Sequence, residues 1–131
     1  MNLTGNPLAT VLLVDDDPLL RGLGRELLEH LGYLVQVAAG GAEALELYRR
    51  TPKIDLVILD YWLPGQDGGE VLGELKALNP EVQVLVASGF FSPQEVERLK
   101  AAGARGLIHK PFRLAALESR IKQVLAGQPA F

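Results

Sequence analysis

The sequence predicts an α/β fold in which a parallel sheet is covered by helices on both faces. Three observations carry that prediction. Short, largely apolar runs rich in valine, leucine and isoleucine recur at residues 11–14, 33–37, 54–59, 82–87 and 105–109. Each is followed by a stretch of helical periodicity, so strand and helix alternate five times. The runs do not alternate apolar with polar residues, as strands with one wet face do. That pattern implies right-handed crossovers and a sheet buried on both sides.

The elements follow in order. Residues 11–14 form a short buried strand. Pro18 suits the first turn of a helix, Leu19, Leu20, Leu23, Leu27, Leu28 and Leu31 recur at helical spacing, and Gly32 stops it. Residues 33–37 make the second strand and Gly40-Gly41 turns the chain. A short helix on Ala42, Ala44, Leu45, Leu47 and Tyr48 ends near Pro52. The strand to Leu59 is followed by a loop over residues 60–68. A third helix then runs from about Gly69 to Leu78 and stops before Asn79-Pro80. After the strand at 82–87, Ser92, Pro93 and Glu95 spell a capping box, and Gly103 closes that helix. After the fifth strand, Leu114, Leu117, Ile121, Val124 and Leu125 stripe the last helix, and Gly127 and Pro129 lead into a tail.

At 131 residues the chain is read as a single domain over 1–131, with a core of about 10–126 and short tails. It carries 22% charged and 48% hydrophobic residues with a net charge of −3, which fits a globular protein and gives no footprint for nucleic acid. The absence of cysteine excludes disulfides and thiolate metal sites, and two histidines are too few for a histidine-rich one. No apolar stretch approaches the ~20 residues of a membrane span. Residues 1–7 lack the basic and apolar regions of a signal peptide, so the chain is expected to be cytoplasmic and the Asn2-Leu3-Thr4 sequon a coincidence.

The strand ends carry the chemistry. Asp15 and Asp16 follow the first strand, Asp60 ends the third, Ser88 ends the fourth and Lys110 follows the fifth. In a parallel sheet these groups gather at the carboxyl edge, where open α/β sheets bind ligands. Three carboxylates at close range repel one another unless a cation joins them. Mg²⁺ fits, because it takes oxygen ligands and a phosphate oxygen. Asp16 and Asp60 are expected as direct ligands, with Asp15 holding a metal-bound water and the Trp62 carbonyl adding an oxygen. Asp60, alone at its strand tip, is placed to attack phosphorus and form an aspartyl phosphate. Lys110 and Ser88 are placed to meet phosphoryl oxygens. Asp17 is read as a helix cap, Asp55 and Asp67 as structural or solvated acids, His109 as pointing away from Lys110, and His30 as serving the helix dipole. Gly22 and Gly24 are read mainly as tolerated weak points of the first helix, close packing by a partner being the other reading.

With these motifs in place, the chain resembles the receiver (response-regulator) domains of two-component phosphorelays. The matching stretches are Val11-Leu12-Leu13-Val14-Asp15-Asp16-Asp17-Pro18, Leu56-Val57-Ile58-Leu59-Asp60 with Leu63-Pro64-Gly65-Gln66-Asp67-Gly68, Val86-Ala87-Ser88-Gly89 and Lys110-Pro111-Phe112. They occur in order over about residues 10–125. The resemblance implies a flavodoxin-like, doubly wound (βα)5 sandwich with strand order 2-1-3-4-5. It implies Mg²⁺ at Asp15, Asp16, Asp60 and the Trp62 carbonyl. It implies that Asp60 accepts a phosphoryl group from the phosphohistidine of a sensor histidine kinase or phosphotransfer domain, with a downstream effector as a further partner. Ser88 and Lys110 become the groups that sense the phosphoryl, and the Lys110-Pro111 bond is expected to be cis. The chain departs from the family at Leu107, three residues before the site lysine, where an aromatic residue is usual. That shifts the expected readout to the loops around Ser88 and Phe90, or toward a relay role. Trp62 and Phe90, each two residues past a site residue, are expected to overhang the phosphoryl group and slow its hydrolysis.

Two other readings compete. A haloacid-dehalogenase-type aspartyl phosphatase would use Asp15 and Asp17, but no second acidic pair follows Lys110 and Asp60 would have no role. A flavin carrier would need a hydroxyl- and glycine-rich loop where the acids stand.

Overall fold

The computed structural model describes residues 9–131. The Asn2-Leu3-Thr4 sequon and the reading of residues 1–7 lie outside the described residues. The elements are β1 (Thr10–Val14), α1 (Pro18–His30), β2 (Leu34–Ala38), α2 (Gly41–Arg50), β3 (Leu56–Asp60), β4 (Trp62–Leu63), β5 (Gln66–Asp67), α3 (Gly68–Leu78), β6 (Val84–Ser88), α4 (Pro93–Ala101), β7 (Gly106–His109) and α5 (Leu114–Leu125). Five strands form one parallel sheet in the order β2-β1-β3-β6-β7, which is 2-1-3-4-5 when these five are counted alone.

Side chains of a strand alternate between faces, and the two cores obey that period. Leu12, Val14, Val57, Leu59, Val84, Val86 and Leu107 pack with Ala44 of α2, Val71, Leu72 and Leu75 of α3 and Leu99 of α4. Val11, Leu13, Leu56, Ile58, Leu85, Ala87 and Ile108 pack with Leu28 of α1 and Leu117, Ile121 and Val124 of α5. Burying each of the larger side chains contributes about 1.5–3 kcal/mol.

Helix boundaries follow local chemistry. Asp17 caps α1 by accepting from the backbone N–H groups of Leu19 (2.9 Å) and Leu20 (3.3 Å). Asp67 caps α3 through the Glu70 N–H (3.0 Å). The Ser92–Glu95 capping box forms in both directions, at 3.1 and 2.8 Å. Gly32 (φ 98°) and Gly103 (φ 96°) turn the chain out of α1 and α4 in the left-handed region that favours glycine.

Several boundaries differ from the sequence expectation, each for a hydrogen-bonding reason. Tyr33 donates to the Leu28 carbonyl (3.1 Å) and closes the helix, so β2 begins one residue later. Val82 donates to Asn79 (3.0 Å) in a turn, and β6 begins at Val84. Asp55, at the foot of β3, accepts from the Thr10 N–H (2.8 Å) and has a structural role. The loop over 60–68 contains a two-stranded hairpin, β4–β5. Gly24 is more than tolerated: a Cβ there would sit 2.7 Å from Leu13 Cδ2 and 3.4 Å from the Phe112 ring, so the glycine lets α1 lie close on the sheet. Gly22 faces open space.

Candidate functional site

Strand parity brings the site together. Asp15 continues the phase of Val11 and Leu13, Asp60 that of Leu56 and Ile58, and Lys110 that of Ile108, all on the α1/α5 face. The register pairs Val14 with Leu59, so Asp15 and Asp60 leave adjacent strands at the same level. Ser88 follows Val84 and Val86 and belongs to the opposite phase.

Lys110 Nζ lies 2.9 Å from Asp15 Oδ2 and 3.3 Å from Asp60 Oδ2, so one ammonium bridges two buried carboxylates. Asp60 Oδ1 accepts the Trp62 N–H (3.2 Å) and Asp15 Oδ1 accepts the Asp17 N–H (3.0 Å). Arg21, which the sequence reading did not single out, reaches back from α1 and donates from Nη1 to the Asp15 carbonyl (2.9 Å). Its only signal was a cation one turn into the helix that follows the acids. The Lys110-Pro111 peptide bond is cis.

Burial pushes the Asp60 carboxyl above its ordinary range. The Lys110 charge and the Trp62 N–H pull it down, and the Asp15 charge pushes it up again. The upward effect prevails because burial is the largest of these contributions. For Lys110, burial favours the neutral amine, but the hydrogen bond to Asp15 and the charges of Asp60 and Asp15 outweigh it and raise its pKa.

Asp16 is exposed, yet one carboxylate oxygen each from Asp15, Asp16 and Asp60 lie within 4.8 Å of one another. Three acids against one lysine leave an excess of negative oxygen, a donor set suited to a divalent cation. The Trp62 carbonyl is compatible with this use. Gly68 N–H donates to the Tyr61 carbonyl (2.6 Å), which makes Trp62–Asp67 the non-hydrogen-bonded pair of the hairpin and leaves the Trp62 carbonyl out of the ladder. Gly68 is required for this closure, since a Cβ would meet Tyr61 Cα at 2.8 Å.

Among the described residues, Ser88 makes no hydrogen bond to the acids. Its Oγ donates to the Phe90 carbonyl (2.9 Å) and accepts the Phe90 N–H (3.3 Å), closing a local turn. Trp62 and Phe90 are 62% and 72% exposed, and Trp62 rests edge-on against Tyr61 at 4.8 Å. Leu107 is buried among Val86, Leu99 and Phe91. Phe91 packs on Tyr61 at 6.4 Å and on His109 at 5.6 Å, so His109 lies on the side away from the acids, as expected.

Residues 11–122 match the family model of the response regulator receiver domain. The chain belongs to that family. This receiver domain is 34% identical over 117 residues to the chemotaxis protein CheY of Halobacterium salinarum, covering 89% of this chain and 97% of that one. It is 36% identical over 121 residues to the sensor kinase CckA of Brucella abortus, covering 92% of this chain but only 13% of the kinase's length. Among solved structures it resembles the CheX–CheY–BeF3–Mg²⁺ complex of Borrelia burgdorferi, with a TM-score of 0.86, 27% identity and coverage of 95% and 94%. The phosphatase reading is not favoured: Asp17, its second acid, is committed to capping α1. No helix among the described residues is long and apolar enough to cross a membrane.

Proposed function

We propose that residues 10–126 act as a phosphoacceptor receiver domain in which Asp60 takes a phosphoryl group from the phosphohistidine of a sensor histidine kinase or phosphotransfer domain. The observation that carries this reading is the pair of contacts on Asp60. Lys110 holds one carboxylate oxygen and the Trp62 N–H holds the other, which fixes the group at the mouth of the acid cluster. In the transfer, an Asp60 oxygen forms the new O–P bond, the N–P bond of the donor breaks, and the imidazole leaves with its electron pair.

Asp15, Asp16, Asp60 and the Trp62 carbonyl would hold Mg²⁺, which supplies charge neutralisation for the phosphoryl oxygens. The CheX–CheY complex of Borrelia burgdorferi, which contains BeF3 and Mg²⁺, supports that choice of ion. Lys110 can turn its ammonium from Asp60 to a phosphoryl oxygen while keeping its closer contact with Asp15. Ser88 must leave the Phe90 carbonyl to donate to the phosphoryl group, so its hydroxyl is a two-position element. With Leu107 already packed, the readout passes through the Ser88–Phe91 loop to a downstream effector, or the phosphoryl group is simply relayed onward. The chain assists its own phosphorylation and dephosphorylation without turning over a separate substrate, and this chemistry belongs to the cytoplasm with the kinase.

Acetyl phosphate and Mg²⁺ test the proposal. The unaltered chain should take up close to one phosphoryl group, and Asp60→Asn and EDTA-treated samples almost none. Equal incorporation by Asp60→Asn would overturn it.

A further inference from the structure

The Trp62 carbonyl belongs to a ribbon too small to hold itself in place. β4 and β5 are two residues each, joined through Pro64 and Gly65, whose φ of 74° permits the tight turn. A lone ribbon of that size is unstable in water, so its position is set by what it is fastened to. Leu63 is buried in the core on the α2/α3 face, and Asp67 caps α3 through the Glu70 N–H. Gln66 supplies a further fastening, from β5 to both neighbouring helices. Its Nε2 donates to Glu74 Oε1 of α3. Its Oε1 lies against Gly41, the first residue of α2, where an added Cβ would collide with it and would also sit 2.8 Å from Val71 Cγ2. The glycines with positive φ do not include Gly41, so space rather than backbone conformation requires glycine here. No side chain caps the start of α2 by a hydrogen bond, and the Gln66 amide oxygen brings the negative end of a dipole to the positive end of that helix.

We propose that Gln66 is a positioning residue for Mg²⁺: the strap it makes from β5 to α2 and α3 fixes the hairpin, and with it the Trp62 carbonyl, before the ion arrives. The inference rests on the assignment of that carbonyl, with Asp15, Asp16 and Asp60, as the Mg²⁺ donor set. Mg²⁺ demands near-ideal octahedral geometry, and a ligand carried on a loose ribbon must be ordered at the moment of binding, which costs affinity. Gln66 has no charge, so its replacement by another neutral residue changes how the ligand is held and not the field at the ion. The Trp62 N–H also donates to Asp60 Oδ1 (3.2 Å), so the same strap steadies the phosphoacceptor carboxylate.

Trp62 is the single tryptophan of the chain, so its fluorescence follows Mg²⁺ binding at the hairpin, and the Mg²⁺-dependent rise in melting temperature gives a second readout. Gln66→Met keeps the length of the side chain and removes both polar contacts. It should raise the Mg²⁺ dissociation constant about tenfold, the low end for losing a group that supports a metal ligand, because this strap is exposed. Glu74→Leu should weaken binding likewise. Glu74→Gln keeps an acceptor for Gln66 and should bind Mg²⁺ as the unaltered chain does, which separates the strap from the charge of Glu74. Gly41→Ala, which drives the Gln66 side chain from its seat, should weaken binding on its own and add nothing to Gln66→Met. Circular dichroism checks folding, and if the Gly41→Ala chain fails to fold, the Gln66 and Glu74 chains decide. Equal affinity in the unaltered and Gln66→Met chains, or the same loss in Glu74→Gln as in Glu74→Leu, would overturn the inference and leave the Mg²⁺ site standing. An unaltered chain that binds no Mg²⁺ by either readout would overturn the site assignment and the inference with it.

Discussion

Replacing Lys110 with methionine removes the ammonium that bridges Asp15 and Asp60 while keeping most of the side chain's bulk. Lys110 donates at 2.9 and 3.3 Å to two carboxylates, and its side chain is only 16% exposed. Hydrogen bonds between charged groups contribute about 1.5–3 kcal/mol each. Taking the lower figure for both, because Lys110 keeps a wet edge, gives a loss of about 3 kcal/mol, the low end for breaking a buried pair from one side. The loss depends on pH. The folded pKa of Lys110 is raised, so its contribution is complete below the unfolded value of 10.5 and fades only as pH rises through the folded one. At pH 7 the whole effect is therefore present. The Asp60 carboxyl is already raised above 3.8, and its protonated form favours the fold. That contribution is present below 3.8 and lost as pH rises through the folded value. Without Lys110 the Asp60 pKa rises further, so the variant should recover part of its lost stability on acidification. Urea unfolding in metal-free buffer at pH 7 and near pH 4 measures both effects. A loss below about 1 kcal/mol at pH 7, or the same loss at both pH values, would refute the assigned role.

Four other outcomes follow from the geometry. Gly22→Ala, into open space, should stabilise the fold by about 0.5–1 kcal/mol. Gly24→Ala should instead cost about 1 kcal/mol, because overpacking against Leu13 and Phe112 outweighs the helical gain, and urea unfolding compares the two. Mg²⁺ at a hundred times its dissociation constant should stabilise the chain by about 2.7 kcal/mol in thermal or urea unfolding, and Asp16→Asn should remove most of that gain. Trp62→Asn should lose its phosphoryl group faster than the unaltered chain, as followed by release of inorganic phosphate. Equal rates would show that the exposed indole shields nothing.

The sequence displayed the sheet clearly because the apolar runs and helical stripes are long and unmixed. It displayed the acid cluster because parallel topology sends every strand end to one edge. Asp15, Asp60 and Lys110 meet as expected. Ser88 ends its strand at the same edge, with its hydroxyl engaged by Phe90. What escaped notice depends on contacts between distant residues. The β4–β5 hairpin is two residues per strand, too short for any periodicity. Gly24 looks like a weak helix position until Leu13 and Phe112 are seen against it. Ala130 carries no pattern of its own, and only the neighbouring edge of β7 gives it a strand partner. Arg21 looks like any helical cation until the turn at Asp15 brings that carbonyl within reach.

The most direct test is to locate the phosphoryl group itself. After acetyl phosphate and Mg²⁺ treatment, borohydride reduces an acyl phosphate to the alcohol, and peptide mass spectrometry reads which side chain has changed. Conversion confined to Asp60 is the predicted result. Conversion at Asp15 or Asp16, or none at any aspartate, would contradict the assignment of the acid cluster as a phosphoacceptor site centred on residue 60.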